Sequence, residues 1–194
     1  FGLEVGSKSE LLIGLSILQN QKSLLICNGY KDKKYIESAI LARKLGKQPI
    51  IVIEQRDEVK RIIEAVKNLK ATPILGIRSK LSSKSSGRWG KSVGDNSKFG
   101  LSIPEIMQTI KELKEANLIN EMKLLHFHVG SQISDISVIK DALQEASQIF
   151  VELSKLGAPM KYIDVGGGLG IDFDGTKTSS NTSTNYSLQN YAND

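Results

Sequence analysis

At 194 residues, 40% of them hydrophobic, the chain can bury a sizeable core and is expected to be one domain or part of a larger one. Its net charge of +5 comes from lysines scattered over amphipathic segments, with no dense basic stripe interleaved with aromatics, so nucleic acid is not an expected partner. No apolar run reaches membrane-spanning length, and the single cysteine, Cys27, excludes an intrachain disulfide; a water-soluble globular protein of the reducing cytoplasm is expected.

In chain order, a weak strand signal at residues 1–5 (FGLEV) is followed by a clear one at 24–27 (LLIC). Residues 32–45 then show helical spacing, closed by Gly46. A strand is expected at 50–53 (IIVI), followed by a helix whose stripe is Val59, Ile62, Ile63, Val66 and Leu69. Residues 74–77 (ILGI) read as the next strand. Ser102 and Glu105 have the capping-box spacing, Pro104 sits in the tolerant first turn, and Ile106, Ile110 and Leu113 continue that helix. Residues 124–129 (LLHFHV) read as a strand. The helix at 135–156 is striped by Ile139, Ala142, Leu143, Ala146, Ile149, Phe150 and Leu153 and stopped by Gly157. Residues 162–165 (YIDV) form the last strand.

Strand followed by helix, repeated with no return strand, argues an α/β protein with a parallel sheet, doubly wound or barrel-shaped. Either architecture places its chemistry at the strand ends. Asn28 to Lys31, Glu54, Arg78, His126 with His128, and Asp164 before three glycines all fall there. Two stretches break the rhythm. Residues 79–98 are rich in Ser, Gly and Lys around Trp89, and read as a functional or a mobile surface loop. The tail from Asp174 is Ser/Thr/Asn-rich, and its glycosylation-type triplets at Asn181 and Asn185 read as chance matches. The chain opens at Phe1 without methionine and stops at Asp194 in mid-pattern, so truncation at both ends is expected.

The run Gly166, Gly167, Gly168 lets the backbone adopt unusual φ and come close to a ligand, and consecutive free N–H groups there would suit phosphate oxygens. A tight turn without a ligand is the alternative. The G-x-G-x-x-G spacing of a dinucleotide site is not met. His126 and His128, the only histidines, share one face if the strand continues through both. They could start a metal site, sit as satisfied core residues, or stack on a planar cofactor whose phosphate meets Ser131.

The segments GLEVGSKSEL (2–11), ICNGYKD (26–32), SKFGLS (97–102), HFHVGSQ (126–132), YIDVGGGLGIDFDGT (162–176) and NYSLQNYAND (185–194) resemble, in order and over nearly the whole chain, the biosynthetic arginine decarboxylases. These are pyridoxal-phosphate enzymes of the alanine-racemase-like barrel type, in the ornithine/diaminopimelate/arginine decarboxylase group. The resemblance implies an incomplete (β/α)8 TIM-type barrel of about six βα units, strands 2 to 7. All 194 residues would belong to one pyridoxal-phosphate-binding barrel domain. It further implies that His128 stacks on the pyridine ring, with Ser131, Gly166, Gly167 and Gly168 around the phosphate, and Glu4 and Arg78 lining the cofactor pocket. Asp164, Val165, Gly166, Gly167, Gly168, Leu169, Gly170, Ile171, Asp172 and Phe173 match a substrate-contacting stretch. Lys98 matches a lysine near the subunit interface in relatives, and a plain surface lysine is its alternative.

The activity so implied is a carbon–carbon lyase reaction, L-arginine to agmatine and carbon dioxide, in polyamine and spermidine biosynthesis. The cofactor is pyridoxal 5′-phosphate with magnesium as a family accompaniment; the assembly is a homodimer or homotetramer. Its place is the cytoplasm, or a plastid in a photosynthetic eukaryote. The resemblance puts the family's Schiff-base lysine just ahead of a segment like FGLEVGSK, and no lysine in the chain matches it, so the chain alone is expected to be inactive. The alternatives are an ornithine or diaminopimelate decarboxylase, a metal-dependent barrel hydrolase using His126 and His128, and a non-catalytic pyridoxal-phosphate-binding barrel protein.

Overall fold

The structure, a computed structural model, describes residues 1–82 and 99–193. Six strands alternate with helices: β1 (Leu3–Val5), α1 (Lys8–Ile17), β2 (Leu24–Cys27), α2 (Lys33–Lys44), β3 (Gln48–Ile53), α3 (Arg56–Leu69), β4 (Leu75–Arg78), α4 (Ile103–Glu115), β5 (Met122–His126), α5 (Ile136–Lys155), β6 (Tyr162–Asp164) and the short α6 (Leu188–Asn193). A single 3-10 turn, Ile119–Glu121, leads into β5. Among the described residues no helix is long and apolar enough to cross a membrane.

Each strand pairs in parallel with its sequence neighbours, in the order β1-β2-β3-β4-β5-β6. A doubly wound sheet reverses its strand order partway; this one does not, so every crossover advances the same way and the sheet curls into part of a barrel. The residue pattern follows. Leu25, Cys27, Ile51, Ile53, Leu75, Ile77, Leu125 and Phe127 face outward and join the main core with the helices. Ile50, Val52, Ile74 and Leu124 form a separate inner cluster, flanked by Leu24, Ile26 and Tyr162. Strands buried on both faces need no polar alternation, which is why they read as continuous apolar runs.

Local signals set the helix starts. Asp32 caps α2 by accepting the Tyr35 amide at 2.7 Å, and Ser102 and Glu105 close a capping box on α4 with Pro104 in its first turn. Asp135 caps α5 through the Ser137 amide. Helix α1, for which no periodicity was expected, is capped by Ser7 through the Glu10 amide at 3.3 Å. It is apolar on several sides, leaving Leu12, Ile13 and Ile17 exposed, and therefore carries no clear stripe. On the outer face of β2, burial pushes the Cys27 thiol up to about 12.

One polar cluster sits inside this apolar frame. Lys31, Glu54 and Glu58 have fully buried side chains. Lys31 Nζ lies 3.1 Å from Glu58 Oε1 and 3.5 Å from Glu54 Oε2, and donates to the Gly29 carbonyl at 2.6 Å. Glu58 also accepts the Glu54 amide at 2.8 Å and the Lys31 amide at 3.2 Å, so one carboxylate caps α3 and anchors the loop after β2. Burial pushes its carboxyl above the ordinary value, against the pull of Lys31 and the Glu54 amide. Removing one partner of such a set leaves uncompensated buried charge. Lys31→Met is therefore expected to lower the unfolding free energy by about 3–5 kcal/mol in urea denaturation of the full-length protein. Lys33→Ala, which removes an exposed pair with Glu37, should change it by less than about 1 kcal/mol.

Candidate functional site

The carboxyl ends of the strands bring polar side chains to one inner row. The register sets Arg78 of β4 beside His126 of β5, and His126 beside Asp164 of β6. His126 is buried, with Nδ1 3.1 Å from Asp164 Oδ2. The other Asp164 oxygen accepts the Gly166 amide at 2.9 Å. Burial alone would raise the Asp164 carboxyl, but the His126 contact, that amide and the Arg78 charge outweigh it and hold the carboxyl low. Arg78 donates through Nη1 to Glu54 Oε1, and its Cζ lies 5.8 Å from the Phe99 ring centroid. Glu4, at the end of β1, accepts from Asn28 Nδ2 at 2.7 Å. Asn28 is buried, and its Oδ1 has no hydrogen-bond partner.

His128 is placed differently from the sequence expectation. Strand β5 ends at His126, so the two imidazoles are not strand neighbours on one face: His126 is tied down beneath, and His128 stands beyond the strand and exposed. There it meets the glycine turn, the Gly167 amide donating to His128 Nδ1 at 3.4 Å, which leaves the ring proton on Nε2. The chain packs closely at this point. A Cβ on Gly166 would lie 2.5 Å from the Phe127 carbonyl oxygen, and one on Gly168 would lie 1.8 Å from that of Gly130 and 3.4 Å from Ser131 Cα. Both glycines have positive φ, 68° and 94°. Ser131 is thus brought beside the turn, with its side chain exposed.

The three amides are not all free, as the phosphate-cradle reading assumed. Gly166 is engaged by Asp164, an acceptor two residues earlier, and Gly167 by His128. Desolvation, helped by Arg78 and His126, pushes the His128 imidazole below its ordinary value of 6.5.

After the turn, Leu169 bridges to Ile133, and the Gly170 amide donates to the Tyr186 hydroxyl at 3.0 Å. Val165 lines a cavity of about 270 Å³ with Phe127, Ile139 and Tyr191, on the outer side of the sheet. Ile171 and Phe173 are exposed. Asp172 accepts from the Ser183 hydroxyl at 2.6 Å and the Gly175 amide at 3.0 Å, which fixes the loop, while Asp174 is held to about 2 by Thr182 and Thr176. Lys98, Trp89 and most of the 79–98 loop lie outside the described residues.

Among the described residues no group of three or more His, Cys, Asp and Glu side chains is arranged to hold a metal ion, and His126 is already committed to Asp164. The mouth fits a phosphorylated aromatic coenzyme better. It offers an exposed uncharged imidazole, and a glycine turn where a Cβ on Gly167 would meet no described atom within 4 Å. It also offers an arginine and a buried amide oxygen, Asn28 Oδ1, that lacks a donor. In the sequence Lys31 and Glu54 stand out only as strand-end residues and Glu58 does not stand out at all; their common signal is the ICNGYKD segment followed by an acidic residue at the end of β3. A lysine is rarely fully buried, so its enclosure could not be read from its type.

The family model described as "Pyridoxal-dependent decarboxylase, pyridoxal binding domain" matches residues 1–194. A protein named biosynthetic arginine decarboxylase from Prochlorococcus marinus subsp. pastoris is 96% identical over 100% of this chain. One from Parasynechococcus marenigrum is 69% identical over the same span. The chain spans 30% of the length of each. Among solved structures, the biosynthetic arginine decarboxylase of Campylobacter jejuni superposes with a TM-score of 0.83 at 36% identity, over 99% of this chain and 30% of that one. A diaminopimelate decarboxylase from M. jannaschi gives 0.72 at 26% identity, over 93% and 42%. With the family model matched from end to end and the partial barrel carrying its strand-end site, the chain belongs to the pyridoxal-dependent decarboxylases, within their pyridoxal-binding domain.

Proposed function

We propose that the barrel mouth binds pyridoxal 5′-phosphate and that the full-length protein converts L-arginine to agmatine and carbon dioxide, a step toward polyamines. The observation that carries this reading is the 3.4 Å approach of the Gly167 amide to His128 Nδ1, which brings a flat imidazole and a glycine turn close enough to serve one ligand. The arginine assignment leans on the relatives, which bear that name over the whole of this chain. When bound, the coenzyme supplies an electron sink for the pair released as carbon dioxide leaves.

The residues of the chain divide the work of holding it. His128 offers its uncharged ring face for stacking. Ser131 and the glycine turn surround the phosphate, with the Gly167 amide free to exchange its long bond to His128 for a phosphate oxygen. Asp164 holds His126 and the Gly166 amide, and so fixes the base of the turn. Glu4 and Arg78 bring opposite charges to the rim. Of the stretch 164–173, Val165 lines the outer cavity, while Ile171 and Phe173 present exposed apolar surface suited to a substrate's methylene chain or a second subunit of a homodimer or homotetramer. Magnesium, which needs only one or two carboxylates beside its waters, is carried in this reading as an accompaniment of the full-length enzyme. A cytoplasmic location fits the lone buried thiol.

Lys31 is enclosed by Glu54 and Glu58 and does not reach the mouth, so the 194-residue chain alone is proposed to release no carbon dioxide. The direct test follows carbon dioxide release from carboxyl-labelled arginine, ornithine and diaminopimelate by the full-length enzyme and by this chain. The full-length enzyme should turn over arginine at least about tenfold faster than the others, a difference of about 1.4 kcal/mol. A preference for either competitor overturns the substrate assignment.

A second outcome concerns His128. Because its folded-state value is depressed, the group contributes stability that is present above its ordinary value of 6.5 and is lost as pH falls through the folded value. Histidine-resolved NMR titration of the coenzyme-free protein should show this imidazole uncharged at pH 7 and protonating below 6.5. His128→Ala should weaken coenzyme binding about tenfold, and His128→Phe, which keeps a flat ring, should restore part of that loss.

A further inference from the structure

The proposed reading leaves one feature of the mouth unused: the carboxylate behind Arg78. Glu54 stands just past β3 with its side chain sealed from solvent, and its two oxygens are divided between Arg78 Nη1 and Lys31 Nζ. Its backbone is clamped as well, the Gly100 amide donating to its carbonyl at 3.0 Å and its own amide to Glu58 Oε2 at 2.8 Å. An exposed carboxylate would neutralise Arg78 without the desolvation cost of burying a charge. What burial adds is a fixed position. Arg78 in turn keeps 16% of its side chain exposed at the rim. A guanidinium carries five N–H donors in a planar fork; Glu54 takes one, and among the described residues the others meet no hydrogen-bond acceptor. A donor fork held from behind by an ion pair, with its remaining donors unspent at the mouth of a ligand site, is arranged to receive an oxyanion.

We propose that Glu54, backed by Lys31, is a positioning residue that holds the Arg78 guanidinium at the barrel mouth, so that its unused N–H groups meet an oxyanion of the bound coenzyme or of the substrate. This rests on the reading of the mouth as a pyridoxal-phosphate site. Glu54 touches neither ligand and acts through Arg78 alone, so its loss should cost nothing once Arg78 is gone.

The test uses the full-length enzyme with Glu54→Gln, Arg78→Gln and the double variant. It measures pyridoxal-phosphate affinity without substrate, then KM and kcat for arginine at saturating coenzyme. Glu54→Gln is expected to weaken coenzyme affinity or raise KM about tenfold, and the double variant to be no worse than Arg78→Gln. Loss of coenzyme affinity identifies a coenzyme oxygen as the partner; a rise in KM alone identifies the substrate carboxylate. Wild-type values for Glu54→Gln in both measurements, or losses that multiply in the double variant, overturn the proposal. Should Glu54→Gln not fold, Glu54→Asp keeps the charge and withdraws it by one methylene. A loss of the same kind then supports positioning, and wild-type values show that charge alone matters and overturn it. A wild-type enzyme that binds coenzyme but releases no carbon dioxide from arginine would remove the substrate assignment while leaving the coenzyme arm intact.

Discussion

The geometry of the site depends on the contact between the turn after β6 and the segment after β5. The backbone of residues 166–168 lies so close to Phe127, His128 and Gly130 that a Cβ at the first or third glycine would overlap a carbonyl oxygen. Only residues without side chains let two neighbouring strand ends approach this far. Everything else at the mouth is referred to that contact: where His128 stands, which amide faces it, and how Asp164 ties the turn to the strand below.

Around this contact the strand ends carry two kinds of polar arrangement. On the β5–β6 side, His126 and Asp164 satisfy each other and leave the outermost imidazole, His128, exposed with only the long bond from the Gly167 amide. On the β2–β4 side, two glutamates and two cations alternate, Glu58, Lys31, Glu54 and Arg78, with charge compensated at each step. The first arrangement fixes backbone and the second fixes a guanidinium. Both are buried enough that water does not compete strongly with them, and removing Lys31 or Glu54 would leave Glu58 or Arg78 without its ionic partner.

Much of this was legible in the residues. Strict strand–helix alternation with continuous apolar strands dictated a parallel sheet, and caps such as Asp32, Ser102 and Asp135 sit where the chain enters its helices. The glycine turn and HFHVGSQ were found because their chemistry lies in residue type and spacing. Less legible was anything that depends on three-dimensional enclosure. Helix α1 has no clear stripe, because several of its sides are apolar. Strand β5 stops two residues before His128, just after a last bond to β6 from the Phe127 amide to the Asp164 carbonyl. The engagement of two glycine amides by Asp164 and His128 arises from folding itself. So does the burial of Lys31, which unites residues from the loops after β2 and β3 with one from α3 that no local pattern connects.

Cys27 carries a practical consequence. It faces the helix layer, is fully enclosed, and its thiol is held at about 12, so at neutral pH it presents neither the thiolate nor the access that alkylating reagents require. A cysteine introduced on any exposed helix of this chain would then be its sole modifiable position. A label attached there would report on its own surroundings, and a pair of such cysteines on two helices would report distances across the barrel mouth, without first replacing the native residue.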